Sequence, residues 1–308
     1  MSDVGSIEDH DLGLAHDLGR ISTQMVARRR ALAWLTSAGA TILVAGCGGG
    51  GGSSAGGSTS SSSDTTGTTT TSSGATTTSS STSSGATSTG QCVADPTETN
   101  GPYPADGTNT SRGATSNALT VNGIVRSDIR ASFLSSATVA PGVQVMLTIT
   151  VVDVNNSCAP LAGYVVYVWH CDRDGSYSLY DLPAESYLRG VQVTDANGQV
   201  TFTTIFPGAY AGRYPHMHFE VFTSLAAATS GRNAKLISQF AMPRDICTTV
   251  YNNVSGYSAS VSRLASSTTA NDNVFGDNTS AQIAAQTPAL TGSVSAGYTG
   301  TVTVGIAV

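Results

Sequence analysis

The sequence predicts an all-β protein, an antiparallel β-sandwich preceded by a signal peptide and a disordered tether. Three observations point there. Charged residues are only 11% of the 308, and short β-compatible side chains abound, which suits a β domain better than a helical bundle. From about residue 119 onward, brief β-rich runs recur between turn signals. No long stretch repeats apolar residues at the helical period, and only 280–286 reads as a short helix.

The chain begins with a leader. Arg28, Arg29 and Arg30 precede an apolar run over 31–45 that ends at Gly46-Cys47. A basic flank, an apolar stretch of about fifteen residues and a small-residue cleavage point predict a signal peptide over 1–46. The run is too short, and too interrupted by Gly and Ser, for a confident membrane span. Leu43-Val44-Ala45-Gly46-Cys47 resembles the bacterial lipobox, in which cleavage exposes the Cys for acylation. The paired Arg resemble a twin-arginine signal, without its usual Ser or Thr before and Phe after. The expectation is an exported, membrane-anchored lipoprotein at the cell surface or in the periplasm, touching the membrane only through a lipid on Cys47. An ordinary signal with Cys47 as an incidental small residue is the alternative.

From 48 to 90 nearly every residue is Gly, Ser, Thr or Ala, and none is aromatic. Such a stretch cannot bury enough apolar surface to offset its ordering entropy, so 47–90 is expected to be a flexible linker. The domain then spans 91–308, long enough for one sizeable core. The net charge is −6 with no basic tract outside the amino terminus, which makes nucleic acid a poor partner. No obligate protein partner is evident. Cys92, Cys158, Cys171 and Cys247 remain after Cys47. An even number in an exported domain predicts two disulfides of undetermined pairing, and the lack of any Cys-x-x-Cys argues against a zinc-thiolate site.

Within the domain, 143–154 alternates through Val145, Leu147, Ile149 and Val151. The run 164–171 is almost continuously apolar and reads as a strand buried on both faces. The segments 191–194 and 199–205 flank Asn197-Gly198 and read as a hairpin. Pro207-Gly208 opens a further turn, 216–222 resumes the strand pattern, and 292–308 alternates through Val294, Val302 and Val304.

His216-Met217-His218 heads the strand at 216–222, and a period of two puts both imidazoles on one face. If 199–205 and 216–222 form a hairpin, the loop between them carries Tyr210 back toward His216. Tyr177 ends a loop that leaves the most apolar strand, with Gly175 permitting the sharp turn. A phenol with an ordinary pKa of about 10 ionises only beside a strong cation. Two phenolates neutralise much of a trivalent charge and favour ferric iron, whereas zinc and copper sites lean on His, Cys and carboxylate.

Several ordered segments carry a resemblance. VVYVWHCDRDGSYS, TFTTIFPGAY and RYPHMHFEV resemble, in order, the signature segments of the intradiol ring-cleavage dioxygenases, the family of catechol 1,2-dioxygenase and protocatechuate 3,4-dioxygenase. Asn100-Gly101-Pro102-Tyr103 is similar to an upstream Glu-Gly-Pro-Tyr segment, and Leu236-Ile237-Ser238-Gln239-Phe240 to a downstream segment carrying a Gln. The resemblance implies Fe(3+) held by Tyr177, Tyr210, His216 and His218, with Tyr177 and His216 staying bound and Tyr210 leaving when substrate binds. It implies active-site roles for Arg213 and Gln239. The substrates implied are a catechol and O2, the ring opening between the hydroxyl-bearing carbons to a cis,cis-muconate-type product. The stretch between Tyr210 and His216 is shorter than in the cytosolic enzymes, which leaves the particular catechol open. His170, Asp172 and Asp174 read as structural or solvent-facing. Two other readings stand beside this one: a tethered cell-surface binding module, and the same fold with another metal or a degenerate site.

Overall fold

The structure is a computed structural model that describes residues 92–308. The signal peptide expected over 1–46, the acylated Cys47 and the linker over 47–90 lie outside the described residues.

In chain order the described residues form β1 (Asp106–Ser111), β2 (Ala114–Asn117), β3 (Gln144–Asp153), β4 (Ala159–Pro160), β5 (Val165–Trp169), β6 (Arg189–Val193), β7 (Gln199–Ile205), β8 (His216–Phe222) and β9 (Leu236–Ala241). There follow α1 (Arg244–Asn253), α2 (Ser258–Ser266), α3 (Ser280–Ala285), β10 (Ala289–Ser293) and β11 (Gly297–Ile306). Two sheets face each other. One runs β10-β11-β3, with β7 and β4 following one another along the far edge of β3; the other is β6-β5-β8-β9. β1 and β2 pair separately.

The alternation in β3 decides its orientation. Val145, Leu147, Ile149 and Val151 are buried while Gln144 and Met146 face out, as a strand with one solvated face requires. These four meet Val302 and Val304 of β11, Phe202 of β7, Val166 and Val168 of β5, and Met217 and Phe219 of β8. Each such side chain removed from water contributes about 1.5–3 kcal/mol. β5 is buried at every position because its other face is covered as well. Val165, Tyr167 and Trp169 pack with Tyr177, Tyr210, Ala105 and Leu119 in a second apolar cluster. The four-stranded sheet is therefore the middle layer, and the second cluster lies on its outer face.

Several expectations need correction. Asn197-Gly198 makes a tight turn, in which Gly198 N–H donates to Asp195 O (3.0 Å). It does not close a hairpin, because β6 pairs with β5 and β7 pairs with β3 in the opposite sheet. The segment between β7 and β8 likewise crosses from one sheet to the other. The sandwich is mixed rather than wholly antiparallel, since β11 lies parallel to β3. The short helix expected over 280–286 forms, but α1 and α2 escaped a periodicity reading. α1 is crowded with β-branched Ile246, Thr248, Thr249 and Val250, which carry little helical preference. Its buried Cys247, Val250 and Tyr251 nevertheless follow helical spacing.

Among the described residues one disulfide forms rather than two. Cys92 bonds Cys158, closing 66 residues and restricting the unfolded chain by about 4 kcal/mol in a loop-entropy account. Cys171 and Cys247 are free and buried. They belong to different apolar clusters, Cys171 to the outer one and Cys247 to the one between the sheets.

Candidate metal centre

The middle sheet brings the site together. β8 pairs with β5 so that His218 stands opposite Trp169, and with β9 so that it stands opposite Gln239. Met217 and Phe219 point into the core between the sheets, which turns His216 and His218 outward, as a period of two dictates. The Trp169 ring lies parallel to the His218 ring, centroids 4.8 Å apart. Gly101, at φ +70°, passes so closely by the His218 ring that a Cβ there would stand 3.1 Å from Cε1.

The two tyrosines arrive on loops that interlock. Gly175 sits at φ +92°, and a Cβ on it would meet Ala209 O at 2.7 Å, so the loop of Tyr177 packs backbone to backbone on that of Tyr210. Asp172 accepts from Asp174 N and Ser176 N, both at 2.9 Å, and tightens the first loop. Buried Arg189 of β6 donates to Ser178 O (2.8 Å), Tyr103 O (2.9 Å) and Pro104 O (3.0 Å), tying that loop to the amino-terminal strap. The second loop hangs from the helices. Tyr257 donates to Phe206 O (2.8 Å), Tyr251 to Pro207 O (3.0 Å), and Ser260 Oγ accepts from Ala209 N (2.9 Å). Arg263 bridges both loops through Ala209 O and Asp174 O.

Four donor atoms converge as a result. Tyr210 Oη lies 3.1 Å from His216 Nε2, which lies 3.1 Å from His218 Nε2, which lies 3.2 Å from Tyr177 Oη. The Tyr177 and Tyr210 rings meet edge to face, centroids 5.7 Å apart. Among the described residues no three His, Cys, Asp or Glu side chains gather as a ligand set; half of this cluster is phenol. Donors each about 2.0–2.2 Å from a common ion stand roughly 3 Å apart, the spacing seen here.

Proton bookkeeping favours a cation. His216 Nδ1 faces Tyr214 O at 2.6 Å and must donate to it, so Nε2 presents a lone pair. Burial first, then the charge of Arg213, push the His216 imidazole well down; burial and then His216 do the same to His218. Both rings are therefore neutral. Burial, joined by the neighbouring phenol, raises Tyr177 well above its ordinary value, and burial raises Tyr210 against the opposing charge of Arg213. Without a cation both phenols stay protonated; with one they become its anionic partners.

Arg213 and Gln239 stand beside this cluster. Arg213 is buried, with Nη1 3.4 Å from His216 Nε2, and its Nη2 donates to Gln239 Oε1 at 2.7 Å. Gln239 Nε2 donates to Thr99 O at 2.8 Å. Asp272, which carries no sequence signal in its polar stretch, holds the far side of Arg213 at 3.0 Å. Tyr103 lies against Tyr177, centroids 4.8 Å apart. His170 is buried and structural: Nδ1 donates to Cys171 O and Nε2 accepts from Thr204 Oγ1, both at 2.7 Å.

Fold and site together define a β-sandwich whose middle sheet carries a buried centre of two tyrosines and two histidines. A protein-family model described as Dioxygenase matches residues 130–251. Among solved structures, an intradiol ring-cleavage dioxygenase from Tetranychus urticae is 26% identical, with 70% of this chain and 95% of that one covered at a TM-score of 0.53. Chlorocatechol 1,2-dioxygenase of Rhodococcus opacus is 36% identical over 72 residues, 23% of this chain. The match spans 27% of that curated relative's own length. Residues 130–251 thus match a dioxygenase family model, and the fold is similar to that of an intradiol ring-cleavage dioxygenase.

Proposed function

We propose that this protein is a ferric, non-haem dioxygenase that opens catechol-type rings between their hydroxyl-bearing carbons with O2, giving cis,cis-muconate-type products. The observation that carries this reading is the convergence of Tyr177 Oη, Tyr210 Oη, His216 Nε2 and His218 Nε2 at 3.1–3.2 Å. Two phenolates and two neutral imidazoles suit a hard trivalent ion better than zinc or copper. Bound there, ferric iron supplies Lewis acidity and a template that makes a chelated catechol reactive toward O2.

The chain's own residues divide the remaining work. Tyr177 is fully buried, its backbone N–H held by Asp181 Oδ2 at 2.8 Å, and it is the fixed phenolate. Tyr210 is the more accessible of the two, at 9% exposure, and is followed by exposed Ala211 and Gly212. It is the one free to swing away, and its Oη takes up one of the two protons of the incoming catechol. Arg213 Nη1, aimed at the donor cluster, stabilises negative charge that builds up on the ring. Gln239 keeps Arg213 from rotating toward the strap.

Metal analysis with a visible spectrum tests the proposal. The purified protein should hold about one iron per chain and be coloured by tyrosinate-to-iron charge transfer. A colourless protein with stoichiometric zinc would sink it and favour the same fold with another metal. Export as a lipoprotein is part of the proposal, supported by the lipobox-like run before Cys47 and by a disulfide of the kind that persists in oxidising compartments. Wild-type protein that partitions into the aqueous phase of a detergent extraction would refute the anchor.

A further inference from the structure

The geometry points to Asp272 as the positioning residue that turns the Arg213 guanidinium so that only its Nη1 addresses the reacting ring. This rests on the function proposed above. Arg213 Nε donates to Asp272 Oδ2 at 3.0 Å, and Nη2 donates to Asp272 Oδ1 at 3.3 Å and to Gln239 Oε1 at 2.7 Å. Three of the five guanidinium N–H groups are spent away from the donor cluster. Nη1, 3.4 Å from His216 Nε2, is the group left to face it.

Asp272 is itself fixed. Its side chain is fully buried, and it accepts from Tyr214 N (2.7 Å), Val274 N (2.9 Å) and Phe275 N (3.1 Å) as well as from Arg213. Both carboxylate oxygens are saturated, so Asp272 has no free lone pair with which to act as a base. Its place is to hold. A planar fork gripped on two edges has one orientation; gripped by Gln239 alone it has several, and the buried cation loses its counter-charge. The loop 268–279 thereby reaches the chemistry without touching substrate. Asp272 also secures the backbone next to His216 through Tyr214 N, so a merely structural role must be separated from an orienting one.

Asp272→Asn, Arg213→Gln and the double variant make that separation. If Asp272 acts through Arg213, Asp272→Asn should lower kcat about tenfold to a hundredfold with KM within about threefold, keeping iron and colour. In the Arg213→Gln background the same change should lower kcat by less than about twofold. Equal losses in both backgrounds, or bleaching of Asp272→Asn, would overturn the proposal. Should Asp272→Asn not fold, Asp272→Glu keeps the charge and carries the same comparison. A second readout needs neither metal nor turnover. In metal-free wild-type protein, Arg213 should react with phenylglyoxal far more slowly than exposed Arg112, and several-fold faster once Asp272 is replaced. Rapid labelling of wild-type Arg213 would refute the clamp. Slow labelling in a wild-type protein that cleaves no catechol would instead place the failure in the proposed function.

Discussion

The Trp169 indole lies flat against the His218 imidazole, 6° from parallel with ring centroids 4.8 Å apart. Because β5 and β8 pair in register at these residues, the stack fixes the plane of one imidazole of the donor cluster. Trp169 is fully buried, so Trp169→Ala should cost about 3–5 kcal/mol of unfolding free energy and lower metal occupancy. Trp169→Phe keeps an aromatic face and should retain the metal. Urea unfolding with metal analysis checks both, and equal metal retention in the two variants would mean that the backbone alone orients His218.

The two phenols should differ in their tolerance of replacement. Tyr177→Phe or His216→Ala should bleach the protein or empty the site. Tyr210→Phe should keep some iron, shift the visible band and lower kcat by about a hundredfold or more, the scale of a lost proton acceptor. Visible spectra and steady-state kinetics decide, and a Tyr210→Phe variant with wild-type kcat would reassign the proton to another group.

Thiol reactivity follows the bonding pattern. Cys171 and Cys247 are free and buried, and burial raises both thiols above the ordinary range. Native protein should show neither reacting, and denatured, unreduced protein should show both labelled while Cys92 and Cys158 stay bonded. Peptide mass mapping reads this directly. Labelling of neither would revive a second disulfide.

Stability should fall as pH rises across neutrality. Burial lifts Asp95 to about 7 against the opposing hydrogen bond from Gly305 N, and burial lifts Glu98 to about 7 as well. A carboxyl raised on folding contributes its full stability below its unfolded pKa of about 4 and loses it as pH climbs through 7, because the folded state binds more protons there. The unfolding midpoint should therefore drop between pH 5 and 8. Asp95→Asn still accepts from Gly305 N and should flatten the slope; an unchanged slope would mean that other groups dominate.

Substrate breadth depends on a short wall. Between Tyr210 and His216 only Ala211 and Gly212 are exposed, while Arg213, Tyr214 and Pro215 are buried. Two small residues reject few ring substituents, since discrimination is a difference in fit. Catechol, 4-methylcatechol, protocatechuate and a bulkier catechol should show kcat/KM values within about tenfold of one another. A preference of roughly a thousandfold, about 4 kcal/mol, would show that other loops close the pocket.

The sequence by itself determined what depends on near neighbours. The strands 199–205 and 216–222 carry the bounds expected of them, and His216 and His218 share a face because strand periodicity is a property of consecutive residues. The inward alternation of Val145, Leu147, Ile149 and Val151 and the short helix after Thr279 are local in the same sense. The proximity of Tyr210 to His216 was also expected, but for a reason the structure replaces: the loop crosses between sheets and hangs from α1 and α2, rather than closing a hairpin. Partner choice between distant segments was left to the tertiary structure. The parallel pairing of β11 with β3, the bond of Cys92 to Cys158 and the seat of Asp272 behind Arg213 each join residues dozens of positions apart. Any strand edge, cysteine or buried carboxylate can satisfy several partners in isolation. Which one it meets is decided only when two sheets and the helices beside them fill a single core.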